Sequence, residues 1–436
     1  MKCGFYELDI TPAMGSIIPG GFAARYGQVI EEKLYVRGTV FMEEEKVLAI
    51  ASVDACGITL DITERVRERV AKFAPLPAEN IMVMATHAHG AGPTLNWGEE
   101  VVTDPHYLTT LVNKTADVIV SAYQNAEESD LYLGKGEIFG ISFIRVYRMK
   151  DGSFKTNPSR KTPELIDAPY TTIDPELLVV GVKQNGEYVG AVINFANHPA
   201  IVDKHAVSGD YISILSKELK KQYGPDFVTV FINGACGNIN HVNPFDPTTV
   251  LPGRHIVVGK TIAEKTVEVL NCSKKMENST LASSLEKIPV HFRKPSPEAL
   301  LKAKEVFENL GDNLVESVPR TPKYQLTFYA LQAFRMMADK RTVKELELQL
   351  FRIGDFYVAG TPSQIFTEFG KRIKAGLPGP CMVSAFANDY CGYVPLPEFL
   401  SEPGVYEARL CPTSALEGEA GNKIVEGILR LEKSLS

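Results

Sequence analysis

The sequence predicts an α/β fold made of layered mixed sheets with helices. Apolar, β-branched segments alternate along the chain with amphipathic helical ones, and that alternation is typical of layered α/β proteins. Length and composition agree, because 436 residues with 44% hydrophobic and 23% charged side chains allow a large core. We interpret residues 1–436 as a single domain.

The N-terminal part of the pattern predicts a hairpin, a helix, a strand and a second helix. Residues 38–54, GTVFMEEEKVLAIASVD, form the hairpin, with EEEK as its polar turn. A helix is expected over 63–74, with Thr63 near its N-cap. A strand over 80–87 and a helix over 107–126 follow.

The rest of the chain continues the same alternation. Further strands are predicted at 177–183, 188–198, 227–234, 348–360 and 382–389, and further helices at 212–224, 259–271, 296–311, 327–341 and 422–435. Residues 140–175, rich in Pro, Ser, Lys and Asp, predict a long ordered loop. Residues 295–345 predict a mostly helical insertion.

Composition argues against several classes of function. No stretch is apolar enough to span a bilayer, and the N-terminus MKCGFYELDITPAMG has no signal-peptide core, so we expect a cytoplasmic protein without integral membrane association. A net charge of -7 with interspersed signs argues against nucleic-acid binding. Seven scattered cysteines without a C-x-x-C pair predict neither a zinc knuckle nor a disulfide framework. A small-molecule substrate is the expected partner, and the oligomeric state stays open.

Three histidines follow apolar runs and are candidate metal ligands. His87 and His89 stand one residue apart in VMATHAHGAGP, and on a strand both imidazoles would point to the same side. His198 follows another apolar run, in INFANHP. Zinc favours imidazole nitrogen, and its catalytic sites use three protein ligands and water. By themselves these residues leave a metal site and buried structural histidines about equally open.

Other polar or turn residues also follow apolar segments, which predicts one convergent site at the carboxyl ends of strands. They are Gly237, Asn238 and Asn240 in NGACGNIN, Gln364 in GTPSQIF, and Tyr390 and Tyr393 in ANDYCGY. Taken alone, the glycine segment is a tight turn and the tyrosines are packing residues. We expect surface or structural roles for His106, His241, His255 and His291.

These motifs resemble those of the neutral/alkaline non-lysosomal ceramidases. ATHAHGAGP is similar to that family's T-H-T-H-S-G-P, and NFANHPAIV with SGDY resembles its N-F-A-x-H-P and S-G-D segments. ELDITPAMG, IRVYRMKDGSFKTNP, NGACGNINHVNP, GTPSQIFTEFGKRI and ANDYCGYVPLPEF continue the likeness in order. The resemblance covers the catalytic domain, and we expect no C-terminal immunoglobulin-like domain.

The resemblance implies an amide hydrolase that uses one Zn²⁺ ion. Carried over position by position, the zinc ligands fall on His87, His198, Gln364 and Tyr393. The catalytic residues become His89 for proton transfer, Arg145 and Tyr393 for the oxyanion, and Asn240 at the family's serine. We assign substrate binding to Gly237, Asn238 and Tyr390.

Two positions depart from the family pattern. Gln364 stands where the family has Glu, and a neutral amide is a weaker partner for a dication than a carboxylate is. Glu368, four residues later, is the candidate replacement if both side chains share a helix face. Asn240 stands where the family has Ser, and it has no hydroxyl with which to attack or donate a proton.

The leading hypothesis is a ceramidase-type zinc hydrolase that cleaves the N-acyl amide of a small, polar substrate. Ceramide itself is disfavoured, because the sequence shows no basic amphipathic helix or aromatic patch for a lipid entrance. The alternative is a catalytically degenerate relative that binds a ligand or partner. A phosphoester or sugar-derivative hydrolase would need further carboxylates, for which the candidates are Asp54, Asp203 and Asp210.

Overall fold

The computed structural model describes residues 1–21, 23–97, 101–310 and 322–435. Within them the α-helices are α1 (Leu60–Val70), α2 (Pro105–Gln124), α3 (Tyr211–Tyr223), α4 (Arg254–Cys272), α5 (Pro297–Leu310), α6 (Pro322–Ala338), α7 (Thr367–Gly376) and α8 (Ala420–Ser434). In this part of the chain, no helix is both long and apolar enough to cross a membrane.

The first sheet contains the expected hairpin. Its strands, in spatial order, are Ile81–Ala85, Lys46–Val53, Tyr35–Glu43, Lys2–Asp9 and Glu127–Glu128. Lys46–Val53 and Ile81–Ala85 run parallel and are connected through α1, so their carboxyl ends open at one edge. The expected N-cap Thr63 is wrong: α1 begins at Leu60, after Thr59, and Thr63 lies buried inside the helix.

The second sheet also places two parallel strands at its edge. Its strands, in spatial order, are Val228–Asn233, Glu187–Phe195, Glu176–Gln184, Asp130–Glu137 and Lys274–Lys275. Glu187–Phe195 and Val228–Asn233 run parallel and are connected through α3. Their carboxyl ends lead into the loops that carry His198 and residues 234–240.

The third sheet consists of Leu281–His291, Val343–Ile353, Phe356–Gly360 and Cys381–Ser384, in that spatial order. The segment expected as one strand over 348–360 belongs to two antiparallel strands, because a turn with Gly354 at φ +57° reverses the chain. Phe356–Gly360 and Cys381–Ser384 run parallel, and their carboxyl ends lead to Gln364 and the 388–393 loop.

Short strands connect the loops around these edges. The segment expected as a loop over 140–175 contains a small sheet formed by Phe154–Thr156, Val146–Met149 and Ile166–Pro169. Two-residue strands pair Ile17–Ile18 with Arg25–Tyr26, Val29–Ile30 with Ala206–Val207, Phe143–Ile144 with Ile239–Asn240, and Gln364–Ile365 with Tyr393–Val394. The helical segment expected at 295–345 contains α5 and α6, and its residues 311–321 lie outside the described ranges.

The three large sheets share one apolar cluster, which fixes how their edges meet. The cluster joins buried side chains of all three sheets, including Phe41, Met82, Val180, Phe351 and Val358. Burial of such side chains contributes about 1.5–3 kcal/mol each before conformational entropy is counted. The sheet edges that carry the site loops are therefore held by a rigid core.

Candidate functional site

The loops that follow the parallel strands bring three histidines together. His89 Nε2 lies 3.2 Å from His87 Nε2 and 3.2 Å from His198 Nε2. The His89 backbone N–H donates to the Pro199 carbonyl at 2.9 Å, which joins the two loops. The structure therefore assembles the predicted histidines around one point.

The route by which His87 and His89 converge differs from the predicted strand. The strand ends at Ala85, and His87 lies in the left-handed region with φ +68°. A non-glycine residue there is uncommon, and such strain persists where the surroundings fix the backbone. The two rings therefore meet because of a turn after the strand. The sequence had instead predicted that they share one face of a strand.

His87 is oriented by its neighbours. Its Nδ1 lies 2.6 Å from the Cys56 carbonyl oxygen, and its ring stacks on Phe386 at a centroid distance of 4.1 Å. Its Nε2 lies 2.6 Å from Nε2 of Gln364. With Nδ1 occupied by a carbonyl, Nε2 is the nitrogen that faces the other histidines.

The three imidazoles are neutral near neutral pH. Burial, reinforced by nearby positive charge, lowers the pKa of His87 and of His198 well below 6.5. Burial and then the charge of Arg25 lower the pKa of His89 to about 3. Neutral imidazole is the form that binds a metal ion.

Gln364 and the two predicted tyrosines stand beside the histidines. Gln364 pairs with Tyr393 in a two-residue parallel ladder, and its side chain is fully buried. The Tyr390 hydroxyl donates to Gln364 Oε1 at 3.0 Å. The Tyr393 ring lies 5.5 Å from the Arg145 guanidinium. Tyr390 therefore orients the amide, while Tyr393 borders the cation.

Arg145 is a buried cation with fixed partners. Its Nε lies 2.6 Å from Glu407 Oε1, and its Nη2 donates to the Gly237 carbonyl at 2.5 Å. Burial opposes its charge, but Tyr406, Tyr393 and Glu407 outweigh burial and raise the pKa of Arg145. The guanidinium therefore stays charged at the wall of the site.

The turn that contains Gly237 and Asn238 packs against the segment that carries Gln364. Asn238 is fully buried, donates to Glu368 Oε2 at 3.1 Å and accepts from the Thr367 backbone N–H at 2.9 Å. A Cβ on Gly237 would lie 2.5 Å from the Gln364 carbonyl, so only glycine allows this approach. Asn240 donates to Asn157 Oδ1 at 2.8 Å, and both of these asparagines line the cavity described below.

A cavity of about 850 Å³ opens onto the histidines. It is lined by His87, His89, His198, Arg145, Gln364, Tyr390 and Tyr393, together with aromatic and aliphatic side chains. His241, which we expected at the surface or in a structural role, also lines it. A cavity of this size and mixed lining is typical of a small-molecule site.

The donor set fits a metal ion. Donor atoms of Cys56, His87 and His89 lie within 4.8 Å of one another. Burial raises the pKa of the Cys56 thiol to about 12, so the imidazoles are the better donors. The 3.2 Å spacing between histidine Nε2 atoms is close to the about 3.3 Å between two nitrogens on one tetrahedral zinc ion.

Comparison with known proteins agrees with the motifs. The profile of the family described as neutral/alkaline non-lysosomal ceramidase, N-terminal, matches residues 2–244, which is more than half of the chain. The chain belongs to this ceramidase family. No curated protein matches it.

Two solved structures share the ceramidase fold. The crystal structure of neutral ceramidase from Pseudomonas aeruginosa matches with a TM-score of 0.74 and 18% identity, over 99% of this chain and 74% of the other. A structure described as ceramidase complexed with C2 matches with a TM-score of 0.73 and 18% identity, over the same shares. The expected α/β class is confirmed, and the chain is a ceramidase-type hydrolase by family.

In the described part of the chain, the carboxylates that the sequence offered as candidate metal ligands are not lining residues of the cavity. Gln364 lies in a short strand and α7 begins only at Thr367, so Glu368 does not share a helix face with it. The Glu368 carboxylate accepts from Asn238 and does not line the cavity. Three further carboxylates are bound elsewhere: Asp54 by Arg37, Asp203 by the His205 N–H, and Asp210 by the Ile201 N–H.

Sequence reasoning missed several residues of this ceramidase-family site. Cys56 follows the strand parallel to the one before His87, so its position at a strand end was an available signal. Glu407, the partner of Arg145, lies in a short turn with no recognisable motif. Arg341 and Lys344 line the cavity although they lie far along the chain, and no local pattern marks them.

Proposed function

We propose that this chain is a zinc-dependent hydrolase that cleaves the N-acyl amide bond of a small molecule. The observation that carries the proposal is the convergence of His87, His89 and His198 Nε2 atoms at the base of a cavity, in a member of the ceramidase family. Zinc supplies a Lewis acid and an activated water to such a reaction.

For the metal we propose His87 and His198 through Nε2, Tyr393 as a further donor, and Gln364 through Oε1 after a turn of its side-chain amide, because Nε2 is the amide atom that lies 2.6 Å from His87 Nε2. Gln364 and Tyr393 are direct partners across one ladder, which supports their joint assignment. The hydroxyl of Tyr390 contacts the Gln364 side chain, and a hydroxyl can pair with either end of an amide or with a carboxylate. A set of four donors is what a single zinc ion takes, so we propose one ion.

The remaining residues receive roles from their positions. His89 lies 3.2 Å from two of the proposed ligand nitrogens and also lines the cavity, so we propose that it moves the proton between water and leaving amine. Arg145, held by Glu407, orients the substrate carbonyl and stabilises developing negative charge. Asn240, fixed by Asn157, holds the substrate by hydrogen bonding.

The roles of Gly237 and Asn238 stay predictions. Neither is a lining residue of the cavity in the described part of the chain. Their contacts with the 364–368 segment support an indirect role, in which they position the loop that carries Gln364. The expected cytoplasmic location and single-domain organisation also stay predictions.

Amide cleavage tests the proposal. Zinc-loaded protein is incubated with N-octanoylethanolamine, N-octanoylglycine and a short-chain ceramide, and the released acid is quantified. We expect release from at least one substrate, its loss in His87→Ala, and its retention in His106→Ala, because His106 is exposed and outside the cavity. If the zinc-loaded protein released no acid from any of the three substrates, the proposed hydrolase would be refuted and the catalytically degenerate alternative would replace it.

A further inference from the structure

The charged residues that line the cavity are all cations. In the described part of the chain they are Arg145, Arg335, Arg341 and Lys344, and no Asp or Glu is among the lining residues. The chain as a whole carries a net charge of -7. The charged side chains of the described lining are therefore positive although the protein as a whole is acidic, and a concave wall of one sign attracts the opposite charge.

Arg341 and Lys344 form a pair of cations at the cavity wall. They lie close enough for the positive charge of Arg341 to act on Lys344 in the direction that lowers the pKa of its ammonium group. Lys344 Nζ lies 2.6 Å from Asp389 Oδ2, and Asp389 Oδ1 accepts the Leu60 and Tyr390 backbone N–H groups. Because an ammonium carries three protons, Lys344 retains donors for a ligand.

Lys344 is linked through Asp389 to the segment that contacts Gln364. Asp389, which binds Lys344, directly precedes Tyr390, and the Tyr390 hydroxyl contacts Gln364. Arg341 lies over the Phe292 ring at 4.8 Å and is itself bound by Asp339 at 2.7 Å. These contacts hold both cations at the cavity wall.

Part of the cavity lining is apolar and aromatic. Helix α6 contributes Phe328 and Leu331, and Trp97, Phe292 and Leu416 complete this part of the lining. These side chains offer an acyl chain a surface to bury, at about 25 cal/mol per Å² of apolar area. The cavity thus combines an apolar wall with cationic side chains.

We propose that the substrate is an anionic N-acyl compound, an amide whose amine side carries a carboxylate, as in an N-acyl amino acid. The carboxylate binds Arg341 and Lys344, and the acyl chain lies against Trp97 and the α6 side chains. The neutral Gln364 suits such a substrate, because a carboxylate there would add a negative side chain to a wall whose described residues include no Asp or Glu. The inference depends on the proposed function only for the amide bond.

Binding is measured through Trp97 on metal-free protein, which by the proposed function does not hydrolyse the ligands. This residue is the only tryptophan of the chain, lines the cavity, and has its ring centroid 6.1 Å from that of Tyr390, so its fluorescence reports occupancy. The protein is titrated with N-octanoylglycine and with the neutral N-octanoylethanolamine. We expect the anionic N-octanoylglycine to bind about tenfold more tightly than the neutral amide, which is the gain that one charge-assisted contact provides. Added salt should weaken the binding of the anionic ligand only.

Two variants locate the effect. Arg341→Gln and Lys344→Gln are each expected to remove most of the preference while leaving the affinity for the neutral amide unchanged. The Arg341 side chain is 64% exposed, so its replacement does not threaten folding, whereas Lys344→Gln leaves Asp389 without its cation. Arg430→Gln is the matched control, because Arg430 is exposed and pairs with Glu286 outside the cavity.

The outcomes separate this inference from the proposed function. Equal affinity for the two ligands, or an equal loss of both in Arg341→Gln, overturns the anion site even if amides are cleaved. A tenfold preference that Arg341→Gln abolishes supports the anion site even if no amide is cleaved, and the proposed function then fails alone.

Discussion

Replacing Gln364 by Glu is expected to strengthen zinc binding and to destabilise the metal-free protein. Gln364 is fully buried, its Nε2 lies 2.6 Å from His87 Nε2, and its Oε1 accepts from Tyr390. In the variant a carboxylate keeps the tyrosine donor but is buried beside neutral imidazoles. Without metal we expect a loss of about 3 kcal/mol, which for this chain length is about 3 °C in Tm.

Zinc binding is expected to offset part of this loss of stability. A carboxylate is a stronger partner for the dication than an amide, so we expect Kd to fall about tenfold. Saturating zinc should therefore stabilise the variant by about 1.4 kcal/mol more than it stabilises the wild type, which is about 1.5 °C in Tm. The assay is thermal unfolding with chelator and with zinc, beside competition against a chromophoric chelator.

Gln349→Glu provides the matched control. Gln349 is also fully buried, and its amide donates to the Glu79 carbonyl at 2.8 Å, outside the cavity. Its variant should lose stability equally with and without zinc and keep the wild-type zinc Kd. If Gln364→Glu bound zinc no more tightly than the wild type, Gln364 would not be a ligand and the assignment of the site would be refuted.

Three further predictions follow from individual contacts. Tyr390→Phe removes the donor to Gln364 Oε1 and should weaken zinc binding about tenfold in the same competition assay; unchanged affinity would exclude an orienting role. Gly237→Ala places a Cβ 2.5 Å from the Gln364 carbonyl and should cost about 1–3 kcal/mol by denaturant unfolding, together with zinc affinity; an unchanged variant would contradict the close approach. Burial and then the charge of Arg254 lower the pKa of His241 from 6.5 to about 4, so its contribution to stability is complete above pH 6.5 and is lost as the pH falls toward 4. His241→Gln should therefore flatten the pH dependence of the unfolding free energy in that window, and an unaltered slope would show that His241 is not held neutral.

Periodicity predicted the elements whose burial is regular along one segment. The hairpin of Tyr35–Glu43 and Lys46–Val53 and helix α2 lie close to where the pattern placed them. Local turn chemistry was less visible, because one glycine, Gly354, reverses a strand that is apolar on both sides of the turn. The start of α1 was misplaced by one turn for a similar reason, since Thr59 and Thr63 are both acceptable caps.

The candidate site was predictable only where strands end. His87, His89, His198 and Gln364 all follow apolar runs, and the carboxyl ends of parallel strands meet at common edges. The rest of the cavity depends on tertiary contacts between distant segments. Arg341 and Lys344 reach the cavity through the placement of α6 and the third sheet, which no spacing in the sequence encodes.

The most direct test of the metal site is the metal content of untagged protein purified without chelator, measured by mass spectrometry beside His198→Ala. His198 is buried and belongs to the histidine cluster, with its Nε2 3.2 Å from His89 Nε2. We predict about one zinc ion per chain in the wild type and none in the variant. Absence of metal from both proteins, even after zinc is added back, would contradict the proposed hydrolase.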